Sequence, residues 1–173
     1  MPILADALIQ MKTLKLEQGK DNKILRNISS PIKKIDRKLL RFIEDMELTM
    51  EHEKGIGLAA PQVGANMRVV ICKFNYDTPH ELIVPMINPR ILHKSKAMSL
   101  SEEGCLSLPK QFDSIGRHDS LTVKYLDVKG KENVLQLSGL NARIVQHEAD
   151  HLDGKLYIDH LSDAVTLKLK EES

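Results

Sequence analysis

Residues 138–157 read SGLNARIVQHEADHLDGKLY. Leu140, Ile144, Val145 and Leu152 recur at the spacing of one helical face, with Ser138 or Asn141 placed to cap the helix. That face is expected to pack on strands while His147 and His151 look into a cleft. Four residues turn a helix by about 400°, so the two imidazoles stand one turn apart and roughly 40° round from each other, close enough to hold one ion. Glu148 lies about 100° round from His147, where it can reach a water beside the ion without ligating the metal. Two histidines on a plain surface helix would share this spacing, so the stretch alone leaves a third ligand and a reaction to be found.

Upstream, DSLTVKYLDVKG and KENVLQLSG alternate apolar and polar residues and meet at Gly130-Lys131, which predicts a β-hairpin leading into the helix. RVVICKF (68–74) and HELIVPMINPRIL (80–92) read as two further strands around the turn formers Asp77-Thr78-Pro79. Pro85 and Pro89 make the second an edge strand or a bulged one. Before them Leu39, Leu40, Ile43, Met46, Leu48 and Met50 recur at helical spacing, with Asp36 as a cap and Gly55 as the stop. A helix, several strands and a helix in that order predict an α+β fold, with antiparallel sheets packed around a central metal-binding helix that carries HEADH.

With 173 residues, 42% of them hydrophobic, the chain suffices for one domain with a real core and is short for two. Residues 1–173 are therefore expected to form a single domain, with residues 1–20 as an N-terminal extension. A net charge of +1 provides no basic face, which argues against direct nucleic-acid readout and against an anionic membrane as partner. Cys72 and Cys105 are too few for a disulfide framework, and no apolar run suggests secretion, so a reducing cytoplasm is expected. The first nineteen residues carry Asp6 and Glu17 and no arginine, unlike an Arg-rich transit peptide.

Two other stretches can carry chemistry. GIGLAAPQVG (55–64) is rich in glycine and alanine, so its backbone can approach a ligand closely, and Gln62 offers an amide that could donate to a developing oxyanion. It lacks the lysine of a phosphate loop, and a plain helix-to-strand connection would also suit it. EEGCLSLP (102–109) holds Cys105, which is either a thiolate ligand for zinc or ferrous iron or an inert buried cysteine.

Taken in series, GIGLAAPQVG, EGCLSLP and QHEADHLDGKLY resemble the three signature motifs of the peptide deformylases. With the DNKILR lead-in, the likeness spans roughly residues 21–161. The resemblance implies Cys105, His147 and His151 as metal ligands, Glu148 as general base and acid, and the Gln62 side chain and Leu106 N–H as oxyanion donors. It further implies that Gly57 and Gly104 belong to the substrate-binding segments, and that Ile56, Glu103 and His147 border a pocket for the methionine side chain. Arg117 falls where the family often has a basic residue near the pocket mouth. Ser101 stands where an apolar residue would be less surprising.

The implied reaction is hydrolysis of the formamide on N-formylmethionyl nascent peptides, releasing formate. One divalent ion is implied, Fe2+ in the cell, with Zn2+, Ni2+ or Co2+ as further occupants. The implied partners are nascent chains and, transiently, the ribosome. Two rivals remain open on the residues. One is an HExxH zinc peptidase, for which Asp159 or His160 could supply the third ligand. The other is a non-catalytic metal-binding module in which Glu148 is dispensable.

Overall fold

The computed structural model describes residues Met11–Ser162. Residues 1–10 of the expected extension and 163–173 at the end of the expected domain lie outside the described residues. Helix α1 (Arg37–His52) begins where the Asp36 carboxylate accepts the Leu39 N–H at 2.9 Å. It ends where the Gly55 N–H returns to the Met50 carbonyl at 2.9 Å.

Seven strands follow: β1 (Gly57–Ala59), β2 (Val69–Phe74), β3 (Leu82–Lys94), β4 (Met98–Cys105), β5 (Leu108–His118), β6 (Ser120–Leu126) and β7 (Glu132–Ser138). Helix α2 (Gly139–Leu152) comes last, ahead of a short 3-10 turn at Tyr157–His160. One sheet runs β1-β2-β3-β6-β7 and a second consists of β4 and β5, every pairing being antiparallel. The architecture is α+β, with antiparallel sheets and two α-helices among the described residues.

The large sheet is sandwiched at β2. Val70, Cys72 and Phe74 face the α2 side with Ala142, Ile144, Val145 and Leu152. Val69 and Ile71 face α1 with Leu39, Ile43, Met46 and Met50. Burial on both faces explains why VVICKF reads as a continuous apolar run rather than an alternating one. Even Lys73 is buried, its ammonium held 2.6 Å from Glu51.

Strand β3 lies inside the sheet between β2 and β6, so the proline-bearing run is not an edge strand. It is bulged: its pairing with β6 slips between Ile87 and Arg90 and again between Ile91 and His93. Pro89 sits in the first slip, where a missing N–H costs no ladder bond. There Asn88 adopts a positive φ of 51° and bonds through its side chain to both the N–H and the carbonyl of Ile32.

The β6–β7 hairpin turns through Asp127–Gly130, where Asp127 accepts the N–H groups of Lys129 and Lys131, each at 2.9 Å. Three local expectations need correction. Neither Ser138 nor Asn141 caps α2 through its side chain; Asn141 instead exchanges bonds with Asn75. Leu140 is 45% exposed, so the packed face is Ala142, Ile144, Val145 and Leu152. Leu-Ser-Leu-Pro (106–109), which the sequence suggests is extended, is not so throughout: β4 ends at Cys105, the chain reverses through Leu106 and Ser107, and it returns as β5.

The described part of the expected extension runs along α1. The Lys12 N–H reaches Asp45 at 3.0 Å and the Leu14 N–H reaches the Thr49 hydroxyl at 2.8 Å, while Leu14 and Leu16 pack on the α1 cluster. The Glu17 N–H then donates to the Gln62 carbonyl at 2.8 Å and the Gly19 N–H to the Ser107 carbonyl at 3.0 Å.

Candidate metal centre

Helix α2 presents His147 and His151 one turn apart, and the end of β4 brings Cys105 up to them. Their ligand atoms all lie within 4.8 Å of one another, with the Cys105 sulfur 3.3 Å from His151 Nε2. His147 Nδ1 is bonded to Glu103 at 3.0 Å, which leaves Nε2 of that ring for the cluster. Burial alone would push the Cys105 thiol up. The charge on His151 and the hydrogen bonds from His147 and His151 outweigh it and hold the thiol well below its ordinary value. A thiolate and two imidazoles at this separation form a divalent metal-binding site.

Glu148 is 4% exposed and borders the same space. Burial raises its carboxyl to about 7, against the pull of His147 and His151, and its Oε2 has no protein partner. Strand β1 passes so close that a Cβ on Gly57 would strike the Glu148 carboxylate. Gly57 thus lets the backbone and the buried acid share one wall. Gln62 is buried in the 3-10 turn after β1, where its Oε1 accepts the Ala59 N–H at 2.8 Å. That bond aims Nε2 at Ser107 Oγ, 3.2 Å away, and at the Cys105 sulfur, 3.4 Å away.

These groups line a cleft of about 540 Å³. Of the residues singled out in the sequence, Ile56, Gly57, Gln62, Glu103 and Gly104 border it, as do Cys105, Leu106, His147 and Glu148. His151 lies beneath, fully buried.

Arg117 does not reach the cleft mouth and must be re-placed. It is 4% exposed, with Nε and Nη2 each 3.0 Å from the Glu103 carboxylate and Nη1 bonded to Asp150 at 2.5 Å. Glu103, which also accepts from Arg143 at 2.8 Å, is held well below the usual carboxylate range: burial opposes this, but the bonds from His147 and Arg117 prevail. The chain Asp150–Arg117–Glu103–His147 thereby locks one imidazole. Ser101 is exposed on β4 and does not border the cleft.

Asp159 and His160 are not drawn into the cluster. Asp159 pairs with Arg26 at 2.6 Å, and His160 Nε2 bonds Asp150 at 2.7 Å. Residues the sequence did not single out are Asp150 and Arg143 behind the histidines, and Leu16, Gln18 and Phe112 on the cleft wall. Arg143 lies four positions before His147 and Asp150 three after it, a helical spacing that could have flagged both.

The model of the polypeptide deformylase family matches residues 15–166. The chain belongs to the polypeptide deformylase family. It is 41% identical over 152 residues to the peptide deformylase of Mesorhizobium japonicum, covering 86% of each chain. It is 43% identical over 141 residues to that of Pelagibacter ubique, covering 82% of each. Among solved structures it resembles the Thermotoga maritima peptide deformylase, with a TM-score of 0.80 and 38% identity over 86% of this chain and 97% of that one. A class I type b deformylase from Acinetobacter baumannii bound to Met-Ala-Ser gives a TM-score of 0.81 at 35% identity, over 87% and 99%. As a deformylase the chain is a metal-dependent hydrolase that removes the N-formyl group of formylated peptides, and the family match begins inside the segment expected to be an extension.

Proposed function

We propose that the cleft takes the N-formylmethionyl end of a nascent chain and that Glu148 moves the proton its hydrolysis requires. The observation that carries this is the unpartnered, buried Glu148 carboxylate set beside the Cys105, His147 and His151 cluster on one cleft wall. A divalent ion held by those three side chains supplies Lewis-acid chemistry to the formyl group and the attacking water. Glu148 takes a proton from the water as it attacks the formyl carbon, then delivers it to the leaving amine, giving formate and a free N-terminus.

Gln62 Nε2 and the Leu106 N–H receive the oxygen on which charge develops. Ile56, Glu103, Gly104 and His147 border the space for the methionine side chain and the adjoining backbone. The Met-Ala-Ser peptide in the Acinetobacter baumannii structure supports a substrate of this type. Specificity is largely steric: the formyl carbon bears only hydrogen, and the tight wall of Gly57 and Glu148 resists a bulkier acyl group.

The ion is Fe2+ in the cell. The donor set also suits Zn2+, Ni2+ and Co2+, and the preference for iron rests on the family resemblance. One deformylase domain accounts for residues 1–173, and the family match over residues 15–166 supports this. Nascent peptides, and the ribosome in passing, are the partners in a cytoplasmic setting. No described helix is long and apolar enough to cross a membrane, and the near-zero net charge argues against direct nucleic-acid readout.

The test is formate release from formyl-Met-Ala-Ser by anaerobically purified protein with its metal quantified, alongside Glu148→Gln. That variant should keep its metal and lose on the order of a hundredfold or more in rate. Near-normal turnover would sink the proton-transfer role. Equal, air-stable activity of iron- and zinc-loaded protein would remove the preference for iron.

A further inference from the structure

The two proposed oxyanion donors stand on different sheets. Gln62 follows β1 of the five-stranded sheet, whereas Leu106 and Ser107 form the turn of the two-stranded sheet, and no ladder joins these sheets. Their relative position must therefore be set by something else. Residues 14–19 bond to both: the Glu17 N–H to the Gln62 carbonyl at 2.8 Å and the Gly19 N–H to the Ser107 carbonyl at 3.0 Å. The Gln62 side chain closes the circuit by donating to Ser107 Oγ at 3.2 Å.

The strap is itself braced. Asn22 Nδ2 holds the Glu17 carboxylate at 2.8 Å, and the Asn22 N–H bonds the Gly19 carbonyl at 3.2 Å. At its other end Leu14 and Leu16 are seated on the α1 cluster, and Leu16 and Gln18 form part of the cleft wall.

We propose that residues 14–19 set the position of the Gln62 amide relative to the Leu106–Ser107 turn, with Glu17 and Gly19 as positioning residues acting through their main-chain N–H groups. Catalytic donors must be held to within about half an ångström of their working geometry, and a hydrogen-bonded bridge between two independent sheets provides that constraint. The inference rests on the deformylase reading and adds a part to it: a segment that composition assigns to an extension becomes a structural member of the active site.

Glu17→Pro removes one N–H of the bridge, together with the carboxylate that Asn22 holds, and replaces no residue that lines the cleft. In the metal-loaded full chain, with formyl-Met-Ala-Ser as substrate, kcat should fall about tenfold or more while KM stays within about twofold, because the lost interaction is made in the transition state. Metal content should not change. The same substitution in a Gln62→Ala background should cost much less, since the donor it positions is already gone.

Additive losses in the double variant, a change confined to KM, or a fall in rate that follows metal loss would overturn the proposal. Should Glu17→Pro not fold, Leu14→Ala loosens the strap from α1 without touching the cleft wall and is read in the same two backgrounds against the same outcomes. Lys33→Ala, exposed and outside both the strap and the cleft, should match the wild type in both kcat and KM. A metal-loaded wild-type chain that releases no formate would defeat the deformylase reading. An active wild type whose Glu17→Pro variant keeps its kcat would defeat the strap alone.

Discussion

Replacing Gly57 with alanine adds one methyl group and should disable the enzyme without emptying its metal site. The new Cβ would lie on the Glu148 carboxylate, 2.8 Å from its Cδ and 3.0 Å from its Cγ as well, so a small backbone shift cannot clear all three atoms. Glu148 is 4% exposed, so relief of the clash requires its side chain to leave its buried seat and turn toward the cleft it borders. Overpacking of this kind costs about 1–3 kcal/mol, which for a chain of this size lowers the melting temperature by about 2–4 °C per kcal/mol.

The larger effect is on rate. Displacing a reacting group by about 1 Å can cost a factor of about a hundred, so kcat should drop on that order while bound metal stays at one equivalent. Adding Glu148→Asp shortens the acid by one methylene and should restore part of the lost melting temperature, because the nearest of the three colliding atoms, Oε1, has no counterpart in aspartate. The assays are thermal melting, metal analysis and formate release on the two single variants and the double variant. A Gly57→Ala protein with wild-type kcat, or a double variant no more stable than Gly57→Ala, would refute the steric argument.

Cys105→Ser should lose most of its metal and activity, whereas Cys72→Ala, at a thiol buried beneath α2, should change stability but leave metal stoichiometry intact. Equal metal binding by both would remove the thiolate from the ligand set. Arg117→Met leaves Glu103 with fewer bonds behind His147 and should weaken metal affinity by about 10–100-fold in a chelator competition, with KM little changed. Unaltered affinity would show that the buried ion chain does not steady the imidazole. Burial would raise the Asp159 carboxyl, but Arg26 and the Leu156 N–H hold it below its ordinary value. Its contribution to stability is therefore present above the unfolded-state value and lost as pH falls through the lower folded-state one. Asp159→Asn should accordingly be destabilising near neutrality and show a shallower acid limb in urea midpoints; an unchanged limb would mean that Arg26 gains nothing from the charge.

The sequence disclosed most where side chains alternate or recur on one face. The α1 stripe with its Asp36 cap, the β6–β7 hairpin and the pair of histidines on α2 were legible because each is a local pattern. The β4–β5 hairpin was not. Its strands are short of buried apolar residues, and the alternation in β4 covers only Met98–Ser101 before exposed and charged residues interrupt it. Arg117 was misplaced for a related reason. Its place at the pocket mouth rested on the resemblance alone, and only the pairing of β4 with β5 brings Glu103, fourteen positions away, to its guanidinium. Leu140 kept the helical spacing yet faces the cleft, because periodicity gives the phase of a face but not where its neighbouring strands stop. Three motifs far apart in the chain converge on one cleft, and local patterns alone do not provide that convergence.

The burial of β2 on both faces has a consequence for the chain during its own synthesis. VVICKF is short, β-prone and almost uncharged, the composition of a segment that can template aggregation when uncovered. Its α1 side can be covered early, because that helix precedes it. Its other side waits for α2, completed about 80 residues later, which at about 5–20 residues per second is a delay of several seconds. Arg68 and Lys73, one before the strand and one near its end, are the charges that guard it meanwhile. Lys73 ends inside the finished protein with Glu51 as its counter-ion, so the charge that interrupts the apolar run in the nascent chain is paired once the fold forms.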